Sequence, residues 1–254
     1  MVRNVCFCGI EIWGWEIDSS IEAIQNRFFK WAIGWDVNTP GYLVRAEAGR
    51  TTLHFQGLKR IVKYVLKIRC LEETRYPKIC WREMIRRKTN GESIRWMKVM
   101  EGNIFEEYRE DWYGRGELVG LNLNKILQQE LDNRQEKICK SKYCPYYKFT
   151  KSNYQIERYL TTGKLGWAER ELARVRLGNG FKGGKDWYSL EERLCVSCKE
   201  EEDSLEHVLL RCKALADIRR RYQLDQIGHD WYNLILGNKI NKELLKFLVE
   251  VKKI

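Results

Sequence analysis

Eighteen residues, "CVSCKEEEDSLEHVLLRC" from Cys195 to Cys212, hold three thiols and an imidazole in the spacing Cys-x2-Cys-x8-His-x4-Cys. A Cys-x2-Cys pair spans one tight turn, so Cys195 and Cys198 can present two thiolates to one tetrahedral centre. His207 and Cys212 supply the other two donors. On an ideal helix these two would stand about 140° apart, at about 100° per residue, so the helix must distort or end near Cys212 for them to share an ion. The chain has only three His, and one of them completes this pattern. Four protein ligands close the coordination shell, so the expected cofactor is a structural zinc ion with no open position for catalysis. Glu200, Glu201, Glu202 and Asp203 read as a solvated loop between the ligand pairs. Cys6 and Cys8, and Cys139 and Cys144, lack a neighbouring His and read as buried thiols; His54 and His229 read as structural residues.

The elements that must position this site read as helices nearly throughout, so the expected fold class is mainly α. In "DSSIEAIQNRFFKWAIG", Ile21, Ile24, Phe28, Trp31 and Ala32 recur at helical spacing and form the expected core stripe, with Gly34 as the stop. "LHFQGLKRIVKYVLKIRCLEE" places Leu58, Ile61, Val62, Val65 and Leu66 on one stripe and its basic residues on another. Further helices are expected in "YPKICWREMIRRK", "SIRWMKVMEGNIFEEY" and "NLNKILQQELDNRQEKICK", and a long one from about Ser204 to Tyr222. "SKYCPYYKFTKSN", with Pro145, breaks the pattern and marks the expected boundary to a smaller C-terminal part. The expected organisation is residues 1–75, 76–145 as a connector, and 146–254 around the metal. No run of 18 apolar residues is present, and the first residues lack a small-residue cleavage site. A protein that is neither secreted nor membrane-embedded is expected, nuclear or cytoplasmic, with its nine Cys reduced.

The net charge of +11 is unevenly spread. Residues 59–98 carry thirteen Lys/Arg against four Asp/Glu, and residues 139–198 carry twelve against six, with an acidic block between them. Two basic blocks that also contain Trp, Tyr and Arg suit contact with a polyanion whose bases can stack.

Residues 10–50, "IEIWGWEIDSSIEAIQNRFFKWAIGWDVNTPGYLVRAEAGR", resemble the segment after the polymerase palm in jockey-like insect non-LTR (LINE-type) retrotransposon reverse transcriptases. "ARVRLGNGFKGGKDWYSLEERLCVSCKEEEDSLEHVLLRC" resembles their C-terminal region, where an Arg-Leu-Gly-Asn helix and a Tyr/Trp position precede a Cys-Cys-His-Cys zinc knuckle. The resemblance implies a thumb-like N-terminal part, with residues 1–75 as a helical thumb. It also implies Cys195, Cys198, His207 and Cys212 as the zinc ligands. It further implies that RNA, an RNA–DNA duplex or target DNA is the partner. Lys59, Arg60, Lys63, Lys67 and Arg69 would then be phosphate contacts on the thumb side. Arg170, Arg174 and Arg176 would contact phosphates beside the knuckle, and Trp167 and Trp187 would be stacking platforms. The family's polymerase needs an aspartate pair that holds two magnesium ions, and no Asp-Asp occurs in this sequence. The chain therefore reads as the tail of such an element, without endonuclease or palm and not an enzyme. The competing expectation is a zinc-stabilised helical module that binds protein and no nucleic acid.

Overall fold

The computed structural model describes residues 7–13, 19–98, 117–149, 155–161, 165–228, 230–236 and 241–253. The chain is mainly helical, as expected, and among the described residues the only β pairing is an isolated antiparallel bridge between Leu194 and Glu202. The expected helix in "SIRWMKVMEGNIFEEY" lies outside the described residues from 99 onward, as do Cys6 and His229. The α-helices are α1 (Ile10–Trp13), α2 (Ser19–Ile33), α3 (Gly41–Glu47), α4 (Leu53–Arg69), α5 (Tyr76–Thr89), α6 (Glu117–Cys139), α7 (Trp167–Arg176), α8 (Ala216–Arg221), α9 (Tyr232–Leu236) and α10 (Lys242–Val251). The chain divides into two compact units, residues 1–25 with 51–132 and residues 26–50 with 133–254.

In the first unit, α4 begins at Thr52, whose extended backbone places its hydroxyl to accept the Phe55 N–H at 3.1 Å. The same residue is held by Glu130, which accepts its N–H at 2.8 Å and its hydroxyl at 2.7 Å. Leu58, Ile61, Val62, Val65 and Ile68 turn inward onto Trp81 and Met97, and Trp96 meets Trp81 edge-on at 6.1 Å. Leu66, expected in that stripe, is only half-buried, and Ile68 takes its place. Thr52→Ala removes both the cap and one Glu130 partner. A loss of about 1–2 kcal/mol, read as a lower urea midpoint at unchanged slope, is the expected outcome.

The second unit has a discontinuous sequence because residues 26–50 are stitched to 133–254 by buried polar bonds. Trp35 Nε1 donates to the Ala173 carbonyl at 2.9 Å, and the Asp36 N–H donates to Asn179 Oδ1 at 2.8 Å. Asn179, fully buried after α7, also donates to Thr39 Oγ1 at 3.0 Å. Gly49 has φ +59°, and a Cβ there would stand 2.2 Å from the Ile156 nitrogen, so only glycine allows that approach. The units thus differ from the three consecutive segments expected, and the junction at 132/133 falls inside α6 and not at Pro145.

The expected core stripe of α2 faces the other way. Ile24, Phe28 and Trp31 are 50%, 44% and 78% exposed, Ala32 is exposed, and Ile21 is half-buried. Gln25 and Ile33 are buried instead. The reason lies beyond the helix: the Trp35, Asp36 and Thr39 bonds fix the chain that leaves α2 and so set which side turns inward.

Candidate metal centre

The two Cys of the first ligand pair sit on a tight turn at the bridge between Leu194 and Glu202. The Lys199 N–H donates to the Cys195 carbonyl at 2.8 Å, and the Cys195 N–H to the Glu201 carbonyl at 2.8 Å. Lys199 takes the left-handed φ of 57° that reverses the chain after Cys198. Gly183 lets the neighbouring loop close on this turn: its N–H donates to the Asp203 carbonyl at 2.8 Å, and a Cβ would meet that oxygen at 2.9 Å.

The long helix expected from Ser204 to Tyr222 is broken, and the break brings the second ligand pair together. His207–Arg211 forms one π-helical turn, and the Cys212 N–H reaches the His207 carbonyl, five residues back, at 2.8 Å. Five residues per bond nearly align positions 207 and 212, which the tighter α spacing would separate. Cys212 itself is extended (φ −60°, ψ 110°), and the chain restarts as a 3₁₀ turn, Lys213–Leu215, followed by α8.

The donor atoms of Cys195, Cys198, His207 and Cys212 all lie within 4.8 Å of one another. Cys195 Sγ and Cys212 Sγ are 3.8 Å apart, and Cys198 Sγ is 3.2 Å from His207 Nε2. A tetrahedral ion with metal–sulfur bonds of about 2.3 Å and metal–nitrogen bonds of about 2.0 Å needs sulfur–sulfur separations of about 3.8 Å and sulfur–nitrogen separations of about 3.5 Å. The Cys195–Cys212 separation matches that geometry, and the four donors, none more than 4.8 Å from another, are close enough together to hold one metal ion. Cys195, His207 and Cys212 are buried. The Glu200 amide, followed by that of Glu201, lowers the Cys198 thiol to about 7, whereas burial, then Cys195, pushes Cys212 up to about 12. Glu201 Oε2 lies 3.1 Å from His207 Nδ1, out of line for a hydrogen bond, and accepts Arg211 Nε at 2.9 Å. A carboxylate behind the imidazole favours the tautomer that leaves Nε2 free to ligate.

The expected nucleic-acid residues divide into three groups. Lys59, Lys63 and Lys67 are exposed along one face of α4, and none has a carboxylate partner among the described residues. Arg60 is exposed but held 3.7 Å from Glu11 and over the Phe7 ring, and Arg69 is half-buried. Trp167, Arg170 and Arg174 line one open groove of about 480 Å³ in the second unit. Trp167 is 52% exposed there, Arg170 is exposed, and Arg174 lies 3.9 Å from Asp36. Trp187 is half-exposed, with its ring stacked on Tyr143 at 5.6 Å.

Arg176 is a correction: it is 2% exposed and cannot reach a phosphate. Its side chain pairs with fully buried Glu47, lies 3.1 Å from Glu157, and donates to the Ile235 carbonyl at 3.0 Å. Tyr147 donates to Glu47 at 2.7 Å, and Tyr159 donates to its other oxygen. Burial, then Glu47, holds both phenols well above their usual range, so they stay protonated donors. Of the remaining thiols, Cys144 is buried as expected, but Cys8 and Cys139 are exposed.

One cavity, of about 430 Å³, had no counterpart in the sequence argument. One of its walls comes from "SKYCPYYKF", where aromatic residues and lysines interleave; that interleaving is a local signal for this wall alone.

Among the described residues, no helix is long and apolar enough to cross a membrane. No family model, curated protein or solved structure matches the chain. Fold and site define a mainly helical protein with a Cys3His cluster able to hold a metal ion.

Proposed function

We propose that this chain is a noncatalytic nucleic-acid-binding protein of the non-LTR retrotransposon reverse-transcriptase kind, with a structural zinc ion in its Cys-Cys-His-Cys cluster. The observation that carries the proposal is the groove in which Trp167 lies beside Arg170 and Arg174. An indole face with guanidinium groups offers a base a stacking surface and its phosphate a partner. Lys59, Lys63 and Lys67, at every fourth position of α4, add a row of point charges spaced for a phosphate backbone. Thiolates and imidazole favour zinc among the available cations, and a closed shell of four protein ligands gives it a folding role. The zinc would hold the turn after Leu194 against the π turn, which fixes the walls around it. RNA, an RNA–DNA duplex or target DNA is the partner class, and the Asp pair needed for polymerase chemistry is absent from the sequence.

Trp167→Ala combined with Arg170→Glu is expected to weaken binding of single-stranded RNA about tenfold or more, since one stacked base contributes about 1–3 kcal/mol. Lys59, Lys63 and Lys67 changed together to Glu are expected to weaken all sequences alike, because phosphate contacts carry no base information. Anisotropy titrations of labelled RNA check both, and unchanged affinity in both variants would reject the proposal. The exposed Phe28 and Trp31, 6.1 Å apart, favour the second reading, a protein-interaction module. That reading requires no nucleic-acid binding even at low salt.

A further inference from the structure

We infer that the 430 Å³ cavity of the second unit is a nucleotide pocket, taking one base with its phosphate. This inference rests on the nucleic-acid reading above and names a separate subsite within it. The volume falls within the roughly 300–1,000 Å³ typical of small-ligand sites.

One wall is aromatic. Phe149 and Tyr232 stack on each other at 4.8 Å with a 23° interplanar angle, and Tyr146 meets Trp231 edge-on at 5.2 Å. Phe149 is 55% exposed, and the Lys148 ammonium lies 5.1 Å from its ring centre, so a planar ring would stack there by displacing that flexible, exposed side chain. Such a pair offers a rigid stacking surface at little entropic cost to a base of any identity.

The opposite chemistry is cationic. Lys185 is 3% exposed, and among the described residues its ammonium has one hydrogen-bond acceptor, the Gly178 carbonyl at 3.0 Å, while Asp36 and Asp203 act on it through their charge without a direct ion pair. It also lies 4.4 Å from the centre of the Tyr143 ring. An ammonium carries three donors, and among the described residues only one of those of Lys185 is filled. Lys142 and Lys148 stand exposed on the same cavity, and neither has a carboxylate partner among the described residues. Three lysines lining one space supply the positive charge that a phosphate needs.

The cavity is not a plain anion trough, because Glu202 and Glu206 also line it. Arg211 takes Glu206 at 2.6 Å, which leaves the exposed Glu202 carboxylate as an acceptor at the rim. A carboxylate beside an aromatic wall suits the exocyclic amine of a base and repels a bare polyphosphate. Glu202 and Ser204 belong to the loop between Cys198 and His207, so the metal centre braces this wall.

The test uses the full zinc-loaded chain and a hexathymidylate carrying one 2-aminopurine, with cytidine monophosphate as competitor. Binding is expected to quench the 2-aminopurine, and the monophosphate to restore its emission. Phe149→Ala and Tyr232→Ala are each expected to reduce affinity about tenfold and to diminish the quench. Lys148→Gln, at an exposed position where folding is not at stake, is expected to weaken binding while the bound quench persists. Salt-sensitive oligonucleotide binding with undiminished 2-aminopurine emission, unaffected by the three variants, would overturn the pocket and leave the nucleic-acid reading standing. Monophosphate binding lost in Phe149→Ala, with no strand bound at any salt, would support the pocket and remove the strand-binding reading. Absence of both would overturn the two together.

Discussion

Cys198→Ser is expected to empty the metal centre and unfold the segment around it, the largest single-residue effect in this protein. The apparent free energy of zinc binding to small structural sites is on the order of 10–16 kcal/mol at neutral pH, and it is folding free energy because the site does not exist in the unfolded chain. Among the described residues, the four ligands sit on short irregular turns, an isolated bridge between Leu194 and Glu202 and one π turn, with no strand or long helix to hold them. With Cys198 gone, Cys195, His207 and Cys212 remain buried together without the ion that neutralises the thiolates. Metal analysis should fall from one zinc per chain to none. Amide exchange should lose its protection over 193–212, and the α4–α5 core of the other unit should keep its own. Retention of one zinc by the variant would show that the ligand set is wrong.

Glu47→Ala is expected to cost about 3–5 kcal/mol, since it strands a buried guanidinium. Arg176 is 2% exposed and Glu47 fully buried, and the carboxylate also accepts from Tyr147 and Tyr159. Burial opposes the charge on Arg176, but the Glu47 carboxylate more than compensates, so the guanidinium remains protonated. Arg176→Met should cost a similar amount. The double variant should cost much less than the sum, because it removes both charges at once. Urea denaturation of the four proteins gives the cycle. Additive losses would mean that the two residues do not act as a pair. In material that remains folded, Arg176→Met should leave RNA affinity unchanged, unlike Arg170→Glu.

The metal centre was legible in the sequence because coordination constrains spacing: two Cys on a turn, then His and Cys, can be recognised before any fold is known. The sequence also exposed the geometric difficulty, that positions 207 and 212 diverge on an α-helix. It could not reveal how a π turn resolves it, since that depends on packing of Val208 and Leu209 into the core. Helix existence was readable from periodicity, as in α4, where Leu58, Ile61, Val62 and Val65 do face inward. Helix orientation was less so. In α2 the apolar stripe Ile24, Phe28 and Trp31 is exposed because bonds made by residues after the helix decide its rotation. Arg176 shows the same limit for charge. A basic residue on a helix of Arg and Glu reads as surface, and partners distant in sequence, above all Glu47, 129 positions away, make its burial tolerable. The cavity's walls come from four separated stretches, so no local pattern could join Lys142 and Phe149 to Lys185 and Tyr232.

The most direct test of the account is the affinity of the zinc-loaded chain for a short RNA, measured from low to moderate salt. If about five phosphates are neutralised by residues such as Lys59, Lys63, Lys67, Arg170 and Arg174, log affinity should fall against log salt with a slope of about −4. A flat titration, or no binding at the lowest salt, would contradict it.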